Sequence, residues 1–155
     1  RRPANLPKSI VSAEAYEIHH ELLATGRDLY DPHIATRLDA GADIPAHDYI
    51  AMHRDRADLC ARVAAITRPF DALVLPTTPA TALPIDGLEE VDARMKASAR
   101  VLRNTALSNY LDRPTITIPC HALGAVPTGL SLIGSRHHDR RLLAIAAGLE
   151  ALIRG

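Results

Sequence analysis

The stretch Asp71-Ala-Leu-Val-Leu-Pro-Thr-Thr-Pro79 is the most informative part of this 155-residue chain. Its first five residues form a short, nearly continuous apolar run that stops at Pro76, a pattern typical of a β-strand covered on both faces. The hydroxyls of Thr77 and Thr78 then follow in a loop stiffened by proline. Loops at strand ends tend to line ligand crevices in open α/β sheets, so this loop is a candidate binding segment. A plain Thr/Pro loop explains the same residues equally well.

Two further strands are predicted downstream of this loop. Thr115 to Ile118 alternates threonine and isoleucine, and Leu130 to Ile133 is a second short, mostly apolar run. The link between them contains Gly124 and Pro127 and is too short for a helical crossover. The sequence therefore predicts that these two strands pair antiparallel.

Helices are predicted before, between and after these strands, because capping residues and apolar periodicity recur there. Five are expected: from the N-cap Ser12 to about Thr25, from Asp31-Pro32 to Gly41, from Ile44-Pro45 to about Arg68, from Glu89 to about Tyr110, and from Asp139 to 153.

The order of these elements predicts an α/β fold in which helices pack on a small mixed sheet. We expect the long helix 46–68 and the final helix 139–153 to cover the three strands, leaving Val74 and Leu75 buried. A sheet of three strands has edges that need cover, and the chain starts without a methionine. Both features suggest that residues 1–155 form one unit that is a fragment of a longer protein.

Composition narrows the function classes. Lys and Arg together number 18, as do Asp and Glu, so the zero formal charge makes nucleic acid an unexpected partner. No window approaches the roughly 20 consecutive apolar residues of a membrane span, and no signal peptide is recognisable, so we expect a cytoplasmic protein without membrane contact. Two cysteines cannot make a disulfide scaffold or a four-cysteine zinc site. We expect no cofactor.

The residues alone reveal no self-contained catalytic constellation. The pairs His19-His20 and His137-His138 are poor chelators, because adjacent helical residues point about 100° apart. Cys120 precedes His121, but neighbouring side chains on a strand point to opposite faces, which favours an inert, at least half-buried thiol over a nucleophile. None of the six serines lies in a G-x-S-x-G turn, and no glycine-rich phosphate loop is present.

Three stretches nevertheless follow one known pattern. Phe70 to Pro79 matches "DaLlxPTxP", Asn109 to Cys120 matches "NlxGxPaisvPxG", and Pro127 to Glu150 matches "PxGlqlxg…D…LL…a…E". In order and spacing the three resemble the C-terminal part of the amidase signature family. The chain departs from the pattern at Arg113, where the family commonly has Gly before the Pro, and at Cys120-His121, where Gly commonly follows.

This resemblance implies a fold and an activity. The chain would be the C-terminal part of a larger α/β/α sandwich, in a family that hydrolyses carboxamide, non-peptide C–N bonds. Relatives use a nucleophilic Ser, a second Ser joined by a cis peptide bond, and a Lys base. This chain has no Gly-Ser-Ser run, and Lys8 and Lys96 have the wrong surroundings for that base. No catalytic residue is carried over, so we expect the chain alone to be inactive and to supply scaffold and part of the substrate pocket.

The resemblance also implies candidate substrate-binding residues. Thr77, Thr78 and Pro79 are the first choice, and Arg103, Asn104 and Asn109 follow because relatives place substrate contacts near that helix end. For each, a hydrogen bond to backbone at a turn is the competing interpretation.

Two expectations about partners follow from the fragment interpretation. The chain would act on a small-molecule amide together with the missing N-terminal part, and its exposed surface should lead to self-association, as a dimer or larger assembly. The alternative function is a non-catalytic binding or interaction module of amidase descent.

Overall fold

The computed structural model describes residues 9–154, apart from the side chains of Val91 and Arg154; Lys8 lies outside this range. Two compact units divide the chain, one ending at Asp58 and one starting at Leu59. The helices are α1 (Ile10–Gly26), α2 (Pro32–Asp39), α3 (Ala46–Thr67), α4 (Val91–Leu102), α5 (Thr105–Tyr110) and α6 (Asp139–Arg154), and the strands are β1 (Leu73–Pro76), β2 (Thr115–Pro119) and β3 (Gly129–Ile133).

The first unit is built on the packing of α1 against α2. Leu23, Ala35 and Leu38 are its buried core. Helix α1 begins one turn earlier than expected, because the Ser9 hydroxyl accepts a hydrogen bond from the backbone N–H of Ser12 at 3.0 Å and caps the helix. The expected cap of α2 is confirmed: Asp31 accepts from the N–H of His33 at 2.8 Å.

The second unit contains a three-stranded sheet in the order β1-β3-β2. Both strand pairs are antiparallel, which confirms the pairing expected for β2 and β3. The α/β class is as expected, but the described strands form no parallel pair. The sheet is therefore antiparallel and not mixed, because β3 lies between β1 and β2, the two strands that run in the same direction.

One face of the sheet packs on the final helix. Ile118 of β2 and Leu132 of β3 form a buried cluster with Leu142 and Ala146 of α6. The expectation that α6 covers the sheet is thus correct. Among the described residues of α3, none belongs to this cluster, so α6 is the helix that covers this face of the sheet.

The edge strand β1 differs from its prediction. Burial alternates along Leu73–Pro76, and the Val74 side chain is 58% exposed. The expectation of a strand buried on both faces was wrong. A continuous apolar run indicates that both faces can be covered, but it does not distinguish an interior strand from an edge strand with one uncovered face.

The helix expected from Glu89 to Tyr110 is interrupted. Helix α4 ends at Leu102, and α5 starts at Thr105. Asn104 precedes α5 without capping it, and its side-chain amide donates to the Pro76 carbonyl at the end of β1. A tertiary contact therefore ties this break to the end of β1.

Candidate functional site

Three hydroxyl groups meet at the end of β1. The Thr77 Oγ1 lies 2.8 Å from the Ser131 Oγ and donates to the Thr117 Oγ1 at 3.2 Å. The Thr117 and Ser131 oxygens are 3.1 Å apart. We call Thr77, Thr117 and Ser131 the hydroxyl cluster.

Strand register explains why the cluster forms. Ser131 in the central strand pairs with Thr117 on one side and with Leu75 on the other, so these side chains share one face of the sheet. Thr77 is two residues after Leu75 and therefore points to the same face. The Thr77 backbone N–H extends the β1 ladder by donating to the Gly129 carbonyl at 2.8 Å. A Cβ at Gly129 would lie 2.6 Å from the Thr117 Cγ2 and 2.8 Å from the Thr77 Oγ1. Only glycine leaves room for the cluster at that position.

The loop after the cluster is held by its own backbone and by the α4–α5 break. The Thr78 hydroxyl donates to the Ala80 carbonyl at 2.8 Å, which is the turn bond that the competing interpretation expects. Asn104 donates to the Pro76 carbonyl at 2.7 Å, and the Arg103 Nε lies 3.4 Å from the Asn104 Oδ1. The structure therefore brings Arg103 and Asn104 to the same loop as Thr77, Thr78 and Pro79.

Asn109 has a different location. It lines an open surface depression of about 370 Å³ together with Ser108, Asp112, Arg113, Pro114, Arg136, His137 and Asp139.

Asp112, at the edge of this depression, carries the unusual loop geometry. Its φ is +54°, in the left-handed region that glycine adopts most easily, and it follows Leu111, the C-cap of α5. Counted along the quoted pattern from Asn109, the family's glycine falls at Asp112, so the departure assigned to Arg113 was one residue too late. Asp112 also pairs with Arg136 at 2.7 Å.

The Cys120-His121 pair does not form a catalytic dyad. The Cys120 thiol is exposed, so the expected burial was wrong, and its nearest polar partner is the Thr128 hydroxyl at 3.7 Å. The His121 Nδ1 lies 3.1 Å from the Thr128 carbonyl oxygen and 3.2 Å from the Thr128 backbone nitrogen, so the ring is engaged across the β2–β3 loop. The exposed location follows from that loop, which ends the strand one residue before the thiol.

The hydroxyl cluster carries no charge, and its three hydroxyl groups hydrogen-bond to one another. Within residues 9–154, no hydrogen bond joins a carboxylate, imidazole or amine to its three oxygens. A serine or threonine hydroxyl is a weak nucleophile without an adjacent base, so this arrangement suits positioning and hydrogen bonding more than covalent chemistry. Sequence reasoning singled out Thr77 but missed Ser131 and Thr117, because only the strand register places them beside it.

Charged and polar neighbours, together with desolvation, shift three pKa values in the first unit. The Arg27 guanidinium, 2.5 Å from the Asp39 carboxylate, lowers the pKa of Asp39 mainly through its hydrogen bond, and the pKa of Arg27 is raised in return. Desolvation, followed by a hydrogen bond to Glu14 at 3.1 Å, raises the pKa of Tyr49.

The described residues contain no group of three His, Cys, Asp or Glu side chains that could hold a metal ion. They also contain no helix long and apolar enough to cross a membrane.

Comparison with known proteins identifies the family to which this chain belongs. The model of the family described as Amidase matches residues 4–143, so the chain belongs to the amidase family. The expected resemblance is confirmed.

Two curated relatives illustrate the extent of the match. The chain is 29% identical to a 2-amino-5-chloromuconic acid deaminase of Comamonas testosteroni over 84% of its own length and 30% of the relative's. It is 29% identical to a Glutamyl-tRNA(Gln) amidotransferase subunit of Thermus thermophilus over 89% of its own length and 29% of the relative's. The chain thus spans about a third of the length of the curated relatives it matches.

Solved structures agree on the fold. An amidase crystal structure superposes with a TM-score of 0.77 at 27% identity, over 92% of this chain and 33% of that one. A Kluyveromyces lactis allophanate hydrolase superposes with a TM-score of 0.78 at 21% identity, over 90% of this chain and 23% of that one. The second likeness concerns the fold alone.

Proposed function

We propose that this chain is the C-terminal part of an amidase-family hydrolase that cleaves carboxamide, non-peptide C–N bonds of small molecules. In that role it supplies scaffold and part of the substrate pocket. The observation that carries the proposal is the family match over residues 4–143, combined with coverage of about a third of each relative.

The loop Thr77–Pro79 and the α4–α5 break form the proposed pocket wall. A carboxamide offers one carbonyl acceptor and N–H donors, and neutral hydroxyl and amide side chains complement both. Arg103 is exposed and adds a guanidinium with up to five donors, one of which faces Asn104. Asn109 would contact substrate only where the 370 Å³ depression joins the pocket of the complete protein.

The proposal assigns the covalent step to the part of the protein that this chain lacks. No Gly-Ser-Ser run occurs among its residues, and Lys96 stands in Arg-Met-Lys-Ala-Ser, outside any glycine- and serine-rich segment. Without a nucleophile and its base, the rate that covalent catalysis supplies is lost. The isolated chain should therefore be inactive. We further propose that it acts in the cytoplasm together with its missing N-terminal part, and that it self-associates when alone.

The DNA upstream of the codon for Arg1 tests this proposal. An in-frame Gly-Ser-Ser-Gly run preceded by a lysine supports it, and mixing the encoded segment with this chain should restore hydrolysis of a simple amide. A start codon with no such run contradicts it and supports the alternative, a binding module of amidase descent.

A further inference from the structure

A half-buried guanidinium just before β2 has a hydroxyl partner but no carboxylate partner. The Arg113 Nη2 donates to the Thr67 hydroxyl at 2.8 Å, and that hydroxyl donates in turn to the Val63 carbonyl at 2.7 Å. Within residues 9–154, no ion pair includes Arg113. Thr67 therefore orients the guanidinium but does not neutralise it, although a partly buried charge is most stable beside an opposite one.

The other charges around Arg113 are compensated separately. Arg113 lines the depression of about 370 Å³, and two carboxylates line it as well. Asp112 pairs with Arg136 at 2.7 Å. Asp139 lies in the first turn of α6, where the backbone N–H groups favour a negative charge. The charge left without a counterpart in the depression is therefore the positive charge of Arg113.

The depression lies at the end of the sheet opposite to Thr77. Pro114 lines it and directly precedes β2. Thr77 donates to the Gly129 carbonyl, and Gly129 pairs with Pro119 at the other end of β2. Five residues of extended chain between Pro114 and Pro119 correspond to roughly 17 Å. A ligand in the depression would thus be held apart from the Thr77–Pro79 loop.

Unusual backbone geometry occurs on two rims of the depression. Among the residues that the structure describes, the non-glycine residues with positive φ are Asp112 at +54° and His137 at +62°, and both line the depression. Glycine adopts this conformation at lower energy, so both side chains are held there at a cost in backbone energy. Residues in such conformations cluster at ligand-binding and active sites.

We propose that the depression is a binding site for a small oxyanion, a carboxylate or phosphate group, with Arg113 as its main ligand-binding residue. A guanidinium has five N–H donors, and Thr67 takes one of those of Arg113. Two parallel donors remain for a bidentate contact with the oxyanion, and the His137 imidazole at the rim adds a further polar group. The volume of the depression suits a small molecule that carries such a group.

A titration of the full chain with inorganic phosphate, followed by amide NMR spectra, tests the site. At constant ionic strength, saturable shifts should appear at Asp112, Arg113 and His137, with half-saturation at about 1 mM. A parallel titration with acetate distinguishes the two ligand groups, because the preferred one saturates at lower concentration. Chloride at the same ionic strength should give no saturable shift. If neither phosphate nor acetate saturates these shifts by about 50 mM, the proposal is wrong.

Two substitutions with opposite expected effects identify the binding residue. Arg113→Gln should weaken phosphate binding at least about tenfold, because it removes the charge-assisted contact. Asp112→Asn should strengthen binding, since it removes a negative charge from the rim and releases Arg136. Arg100→Gln is the matched control: it removes the same charge from an exposed position of α4 and should leave binding unchanged.

The gain expected from Asp112→Asn cannot result from a loss of folding. If Arg113→Gln does not fold, Arg113→Lys replaces it: this variant keeps the charge but loses the paired donors, and should still bind more weakly than wild type. Wild-type affinity in the folded Arg113 variant, or weaker binding by Asp112→Asn, would overturn the proposal. Neither result bears on the amidase assignment, because the site does not depend on it.

Discussion

The side-chain amide of Asn104 donates a 2.7 Å hydrogen bond to the carbonyl of Pro76. This bond joins the break between α4 and α5 to the end of β1, one residue before the hydroxyl cluster. Pro76 lies in an edge strand, so the side chain of Asn104 fixes the position from which the Thr77–Pro79 loop departs.

Removing this amide should loosen the loop. Asn104→Ala should lower the free energy of unfolding by about 1 kcal/mol, the usual net value of one hydrogen bond. Amide hydrogen exchange at Thr77, whose N–H donates to the Gly129 carbonyl, should become faster. Asn104→Asp is the matched control, because it keeps the shape but replaces the donor with an acceptor. Unchanged exchange at Thr77 in both variants would show that the bond does not position the loop.

The hydroxyl cluster should behave as a coupled unit. Ser131 is 4% exposed, so Ser131→Ala should cost about 0.5–1.5 kcal/mol in urea unfolding. The same change at Ser135, which is partly exposed beyond the end of β3, should cost less. The double variant Ser131→Ala, Thr77→Val should lose less free energy of unfolding than the two single variants lose in sum, by about 0.5 kcal/mol or more. The reason is that both changes remove the same hydrogen bond. Strict additivity would contradict the cluster.

Asp112 tests the unusual loop geometry beside the depression. Because the φ of Asp112 is +54°, glycine should fit this position better than alanine. In denaturant unfolding, the free energy of unfolding of Asp112→Gly should exceed that of Asp112→Ala by about 1 kcal/mol. Both variants lose the exposed pair with Arg136, so their difference isolates the backbone. Equal stability of the two would mean that the left-handed conformation carries no strain.

The Arg27–Asp39 pair should make stability depend on pH. Because the folded pKa of Asp39 is lowered from its ordinary 3.8, its contribution is complete above that value and is lost as the pH falls through the lowered pKa. The stability difference between wild type and Asp39→Asn should therefore shrink on acidification. If the stability difference between the two proteins stays constant from about pH 5 to about pH 2, the Arg27–Asp39 pair does not cause the pH dependence.

Local sequence signals predicted the parts of the fold that depend on local chemistry. The cap at Asp31 and the antiparallel pairing of β2 with β3 follow from short-range patterns, and both are confirmed. The exposure of Val74 and the break at Asn104 depend on what lies next to them in space. The hydroxyl cluster was hidden for the same reason, because Thr77 and Ser131 are neighbours only through the register of β1 on β3.

The central claim is that this amidase-family chain supplies pocket wall and scaffold but no catalytic set. The most direct measurement is ammonia release from acetamide, benzamide and glutamine by the purified chain alone. Our account predicts release at background level for all three amides. Turnover that persists after repurification, and that changes with a substitution such as Thr78→Val in this chain, would contradict it.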